Sequence, residues 1–163
     1  MWPRTVALTL TLLVCSAGHA AAASWTALVS QEAHLTGNPP SGASLAAIDL
    51  GAAPPTGSSP VGVPNPFEVA ISPDATTAYV ASFGDCASNS ANLVQPVDLT
   101  VSPPAAKLPI PLGDVGAFGL VASPDGRTLF ASGCGKVVPI DVSGPAPVVG
   151  SSIAVGADPF ALA

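Results

Sequence analysis

Asn65-Pro66-Phe67-Glu68-Val69-Ala70-Ile71-Ser72-Pro73-Asp74-Ala75-Thr76-Thr77-Ala78-Tyr79-Val80-Ala81-Ser82 decides the fold of this chain. Two runs that alternate large apolar with small or polar residues flank Ser72-Pro73-Asp74-Ala75. Period-two alternation marks a strand. Pro presets φ for a turn, and the Asp after it favours turn geometry. The stretch therefore reads strand, tight turn, strand. The same order returns at Phe118-Gly119-Leu120-Val121-Ala122, Ser123-Pro124-Asp125-Gly126 and Thr128-Leu129-Phe130-Ala131.

Working outward, Thr26-Ala27-Leu28-Val29, Thr77-Ala78-Tyr79-Val80 and Thr128-Leu129-Phe130-Ala131 stand 51 residues apart. A second element follows each: Leu45-Ala46-Ala47-Ile48-Asp49-Leu50, Val94-Gln95-Pro96-Val97-Asp98-Leu99 and Val137-Val138-Pro139-Ile140-Asp141-Val142. Pro96 and Pro139 each remove a ladder donor, so each must sit at a bulge, an edge or a ladder-free position. The recurring Asp49, Asp98 and Asp141 read as hydrogen-bonding groups at strand ends, and Asp74 and Asp125 as turn residues. A third element is Val61-Gly62-Val63-Pro64, Ile110-Pro111-Leu112-Gly113 and Ile153-Ala154-Val155-Gly156. A fourth starts at the recurring Phe67, Phe118 and Phe160, the last being Phe160-Ala161-Leu162-Ala163.

Four short strands in a period of 43 to 51 residues indicate an all-β repeat protein of the propeller kind, with blades of four antiparallel strands. Composition agrees: 19 Pro and 16 Gly among 163 residues disfavour long helices, while 48% apolar residues suffice for a core. The residues resemble the YVTN-type β-propellers in their Ser72-Pro73-Asp74-Ala75 turn, Tyr79-Val80-Ala81-Ser82, Pro139-Ile140-Asp141-Val142 and Val155-Gly156-Ala157-Asp158-Pro159. Ala75 departs from the family's Gly, and Phe130-Ala131 from its Tyr-Val. The resemblance implies a structural consensus and little about activity.

The sequence reads as three blades' worth of strands, starting on the second strand of one blade and stopping inside the first strand of another. Closed propellers have about four to eight blades. Closure therefore calls for the remaining blades of a longer chain or for a second copy meeting the first head to tail.

Residues 1–23 read as a signal peptide, with Arg4 before the apolar run Thr5 to Val14 and Ala21-Ala22-Ala23 before Ser24. Residues 24–163 form the repeat region. The expectation is a secreted, extracellular or cell-envelope protein with no membrane span after signal removal. Net charge is −6 with four basic residues, so no nucleic acid is expected as partner.

No nucleophile–base pair, Gly-rich phosphate loop or metal-ligand spacing is present, and no catalytic residue or cofactor is assigned. Glu68 stands where the other copies have Gly119 and Ala161, and a propeller's first strand lines its channel. It is the one metal-ligand candidate, but a plain solvated carboxylate is the preferred reading and no metal site is assigned. Cys86 and Cys134 lie in corresponding connections, and export permits a disulfide between them; a bridge and two free thiols both remain open. Asp85, Asp114 and Asp158 fall in connections expected to share a face, a weakly acidic rim.

The connections Gln31 to Ser44 and Phe83 to Asn92 exceed Gly133 to Lys136 in length, and length variation on one face of a repeat array marks a binding side. The expected role is a binding or scaffold module for a protein or cell-envelope partner. The competing expectations are part of a hydrolase resembling the propeller lactonases and a structural surface-layer module.

Overall fold

The computed structural model describes residues 9–13, 26–31, 44–49, 56–57, 61–84, 86, 92–157 and 159–163. These form three antiparallel sheets, and no helix occurs among the described residues. The first sheet holds β1 (Thr9–Leu13), β2 (Thr26–Gln31), β3 (Ser44–Asp49), β4 (Thr56–Gly57) and β5 (Val61–Gly62). The second holds β6 (Pro66–Ile71), β7 (Thr77–Ser82), β8 (Leu93–Asp98), β9 (Ala105–Ala106) and β10 (Ile110–Pro111). The third holds β11 (Gly119–Ala122), β12 (Thr128–Gly133), β13 (Lys136–Asp141), β14 (Val148–Val149) and β15 (Ile153–Ala154).

Each sheet repeats one order: a first strand, a second, a third, and a fourth position shared by two short pieces that both pair with the third. The hydrophobic elements of the sequence coincide with strands except Phe160–Ala163, and the outer position, that of the third element at Val61, Ile110 and Ile153, is shared with a second short piece. Pro96 and Pro139 face this split. The Pro96 carbonyl accepts from Lys107 N–H and that of Pro139 from Gly150 N–H. A residue's N and C=O point to one side of a strand, so each missing donor faces the gap and not the inner neighbour. The first sheet shows the same split opposite Ala46 and Ala47, where there is no Pro. The split thus accommodates the prolines and is not caused by them.

Two elements stand otherwise than the strand pattern of the sequence implied. Thr9–Leu13, inside the apolar run expected of a targeting segment, pairs as β1 along β2 from Thr9↔Ser30 to Leu13↔Thr26. Thr-Leu-Thr-Leu-Leu partly alternates, and β2 offers the edge that β6 and β11 fill in the other two sheets. Phe160–Ala163, expected as a strand, carries no strand pairing. The other two copies pair with the hairpin arm that follows them, and none follows Ala163 in these 163 residues.

The sheets stack through apolar faces. Leu28, Leu45 and Val63 of the first sheet region meet Val69, Ala78, Val80 and Val97 of the second. On its opposite face the second sheet meets the third through Ala81, Val94, Ile110 and Leu112 against Leu129, Ala131, Val138 and Ile140. Burial at these positions is nearly complete, and each Val, Leu or Ile so buried contributes about 1.5–3 kcal/mol.

Candidate binding face

The sheets have two ends, built by different kinds of contact. At one end lie the turns between first and second strands. Asp74 Oδ1 accepts from Ser72 Oγ at 2.6 Å and from Thr76 N–H at 3.1 Å, and Ser72 Oγ accepts from Thr77 N–H at 3.0 Å. Asp125 repeats this with Ser123 Oγ at 2.6 Å and Arg127 N–H at 3.0 Å. Gly126 has φ 69° and Ala75, in the matching place, φ 58°. At the same end Asp98 Oδ1 accepts from Thr100 N–H and Asp141 Oδ1 from Ser143 N–H. The side-chain hydroxyl donors are the largest cause holding all four carboxyls below their ordinary range. These aspartates are committed to their own turns, as the repeat implied. The side chain of Asp49 lies outside the described residues.

A groove of about 460 Å³ opens at this end beside Asp125, Arg127, Pro139, Asp141 and Gly150. In the second sheet Lys107 stands where Gly150 stands in the third, and its Nζ donates to Thr77 Oγ1 at 3.4 Å. The groove is the space such a side chain would take. Both of its carboxylates are already bonded within their turns.

The opposite end joins neighbouring sheets. Cys86 and Cys134 form a disulfide with Cα atoms 5.5 Å apart, across a sequence separation of 48. Cys134 and Gly135, with φ 52° and 73°, make the two-residue turn that closes at the Gly133↔Lys136 pair. Positive φ at both central residues is the hairpin geometry that matches strand twist. Behind the bridge, Gly116 leaves no room: a Cβ there would stand 2.7 Å from Cys134 Sγ. Asn92 is buried, accepts from Gly84 N–H at 2.9 Å and donates to the Gly113 carbonyl at 3.3 Å. Asp114 pairs with Lys136, which is the main cause lowering its carboxyl below the usual range. Asp85 and Asp158, expected on the same rim, lie outside the described residues, as do most of the two long connections.

The recurring phenylalanines gather at this end. Phe67 and Phe118 meet edge to face at 5.1 Å, and Phe118 and Phe160 are tilted at 5.1 Å. Phe83, which has no counterpart in the repeat, stacks on Phe118 at 4.0 Å. Phe160 is 64% exposed and gives this aromatic row a solvent-facing edge. The sequence showed the recurrence of Phe but not this row, because equivalence within a repeat does not state which rings touch. Phe83 carried no signal at all.

Glu68 sits at a bulge where the pairing of β6 with β7 shifts between Pro66 and Val69. Bulges re-aim side chains, and here the carboxylate reaches the next sheet, where Oε2 accepts from Leu120 N–H at 2.9 Å. Within β11 the Ser123 N–H to Thr128 carbonyl bond sets a ladder phase that turns Leu120 N–H away from β12. Glu68 satisfies that donor. Its carboxyl is half-buried; desolvation raises its pKa, and the Leu120 bond opposes the rise. Its visible partner is thus a backbone amide of the third sheet. No group of three or more His, Cys, Asp or Glu that could hold a metal occurs among the described residues.

No family model matches the chain, and no curated protein does. Among solved structures, the chain is similar to a functionally unknown protein from Desulfotomaculum acetoxidans at 12% identity and a TM-score of 0.49. The match covers 91% of this chain and 56% of that one, so the chain spans little more than half its length.

Proposed function

We propose that this chain is an exported β-propeller-type repeat protein of the YVTN kind that binds a protein or cell-envelope partner at its disulfide end. The observation that supports this reading most is the aromatic row Phe67, Phe83, Phe118 and Phe160. It is held by inter-sheet contacts at the end where the long connections emerge. Aromatic side chains supply large contact area with little loss of freedom, which suits them to recognition. The propeller part rests on three sheets sharing one strand order, each matching one sequence repeat. In this reading the opposite end, with its self-satisfied aspartates, is framework.

Two measurements test it. N-terminal sequencing of the protein recovered outside the cell is expected to start at Ser24, processing having removed β1 from the edge of β2; an intact Met1 in the cytoplasm would overturn export. Immobilised protein is then titrated with separated protein and polysaccharide fractions of the producing cell's envelope. Saturable binding that weakens tenfold or more in Phe160→Ala and is unchanged in Arg127→Ala supports the proposed face. Loss in Arg127→Ala alone, or no saturable binding, contradicts it.

A further inference from the structure

The three sheets differ in what covers them. The face of the first sheet that carries Leu28, Leu45 and Val63 is covered by the second sheet. The same positions in the second sheet, at Tyr79, Val94 and Leu112, are covered by the third. In the third sheet they are Phe130, Val137 and Val155, and no sheet lies over them among the described residues. The consequence is plain in matched pairs. Ile110 is 4% exposed and its equivalent Ile153 56%; Leu112 is 5% exposed and its equivalent Val155 49%.

The far side of the first sheet is the complement. The second and third sheets turn Ala78, Val80 and Val97, then Leu129, Ala131 and Ile140, toward the preceding sheet. The register positions that match in the first sheet are Ala27, Val29 and Ile48, paired as Ala27↔Ile48 and Val29↔Ala46. All are apolar. One end of the stack thus carries the face that is covered at both internal junctions, and the other end carries the face that does the covering.

We infer that two copies of this chain associate head to tail, the bare face of each third sheet packing on the outward face of the partner's first sheet. The junction continues the one that already joins the sheets within a copy. Contacts between unlike faces either close or grow without limit. For the three sheets that these 163 residues form, two copies give six, inside the range of about four to eight for closed rings, whereas three copies would exceed it. The choice of two copies rests on the propeller reading above; the matching of faces does not.

Sedimentation of the 163-residue chain, expressed with its own N-terminus and purified as the cell leaves it, tests this. The expected result is one discrete species of twice the chain mass. Ile153→Asp combined with Val155→Asp, both on exposed positions, is expected to weaken association at least about thirty-fold, since apolar anchors at the centre of an interface dominate its affinity. Ala46→Asp on the first sheet should do the same. Leu108→Asp, at a residue 88% exposed and off both faces, should leave the dimer intact. Mixing the two deficient variants restores one sound junction and a heterodimer. Circular dichroism of each variant confirms that it is folded.

Three results overturn the inference in distinguishable ways. A wild-type monomer at all concentrations shows that the faces do not engage. A ladder of growing oligomers shows that they engage without closing, which also contradicts the propeller reading. A dimer that survives Ala46→Asp shows third sheets pairing with each other.

Discussion

The turn end and the disulfide end of the sheets are held by contacts of different range. At the turn end every described carboxylate is bonded by groups two residues away, as in Asp74 with Thr76, Asp98 with Thr100, Asp125 with Arg127 and Asp141 with Ser143. At the disulfide end, and on the inner strands that lead from it, three contacts take their partner from another sheet. Cys86 bridges to Cys134, Phe83 stacks on Phe118, and Glu68 accepts from Leu120. One end shapes each sheet and the other aligns the sheets with one another. Damage to the first should be local; damage to the second should loosen the stack.

The largest expected effect is loss of the bridge. Closing a loop of 48 residues removes unfolded-state entropy worth about 4 kcal/mol. Cys86→Ser, or reduction, should therefore lower the chemical-denaturation midpoint by that equivalent. An unchanged midpoint would mean that the bridge does not tie the sheets. Next comes Phe118→Ala. Removing a buried aromatic ring costs about 3–5 kcal/mol in a full core, and about 2–3 kcal/mol is expected for this half-buried ring. Its loss should also speed hydrogen exchange at Leu120 more than at Thr77; equal acceleration at both would erase the distinction between the ends.

A smaller change of opposite sign is expected at the turn end. Ala75 holds φ 58° where the third sheet has Gly126 at 69°. Ala75→Gly relieves left-handed strain of about 1–2 kcal/mol while adding unfolded-state freedom, so a gain of about 0.5–1 kcal/mol should appear in the melting temperature. Destabilisation would show that the turn conformation differs.

The smallest effect is the response to pH, which separates Glu68 from the aspartates of both ends. Asp74, Asp98, Asp114, Asp125 and Asp141 have lowered pKa values, so their contribution is present at neutral pH. It is lost as pH falls below the ordinary carboxylate range. Glu68 is raised, mainly by burial, so the folded state takes up its proton first, and stability rises as pH falls from that raised value toward the ordinary one. The melting temperature should climb slightly on mild acidification and then drop. Glu68→Gln should remove the climb and keep the drop; a climb that persists assigns it to another group.

The same contrast explains what was legible in the sequence. Turn residues find their partners within a few positions, so Ser-Pro-Asp and the strand-end aspartates announced their bonds. Strand runs announced themselves by alternation. The split fourth strand did not, because two-residue pieces such as Val148–Val149 carry no period. The Leu120 partner of Glu68 stands 52 positions away and depends on a bulge, which no local pattern encodes. The spacing of Cys86 and Cys134 placed them in matching connections, but only the stacking of the sheets brings their Cα atoms to 5.5 Å.

That bridge gives the most direct test of the stacked repeat. The native, non-reduced protein is alkylated, digested and mapped by mass. The predicted result is one cross-linked pair of peptides carrying Cys86 and Cys134, with neither thiol alkylated until reductant is added. Alkylation of both cysteines without reductant would contradict the placement of the second and third sheets as neighbours in this register.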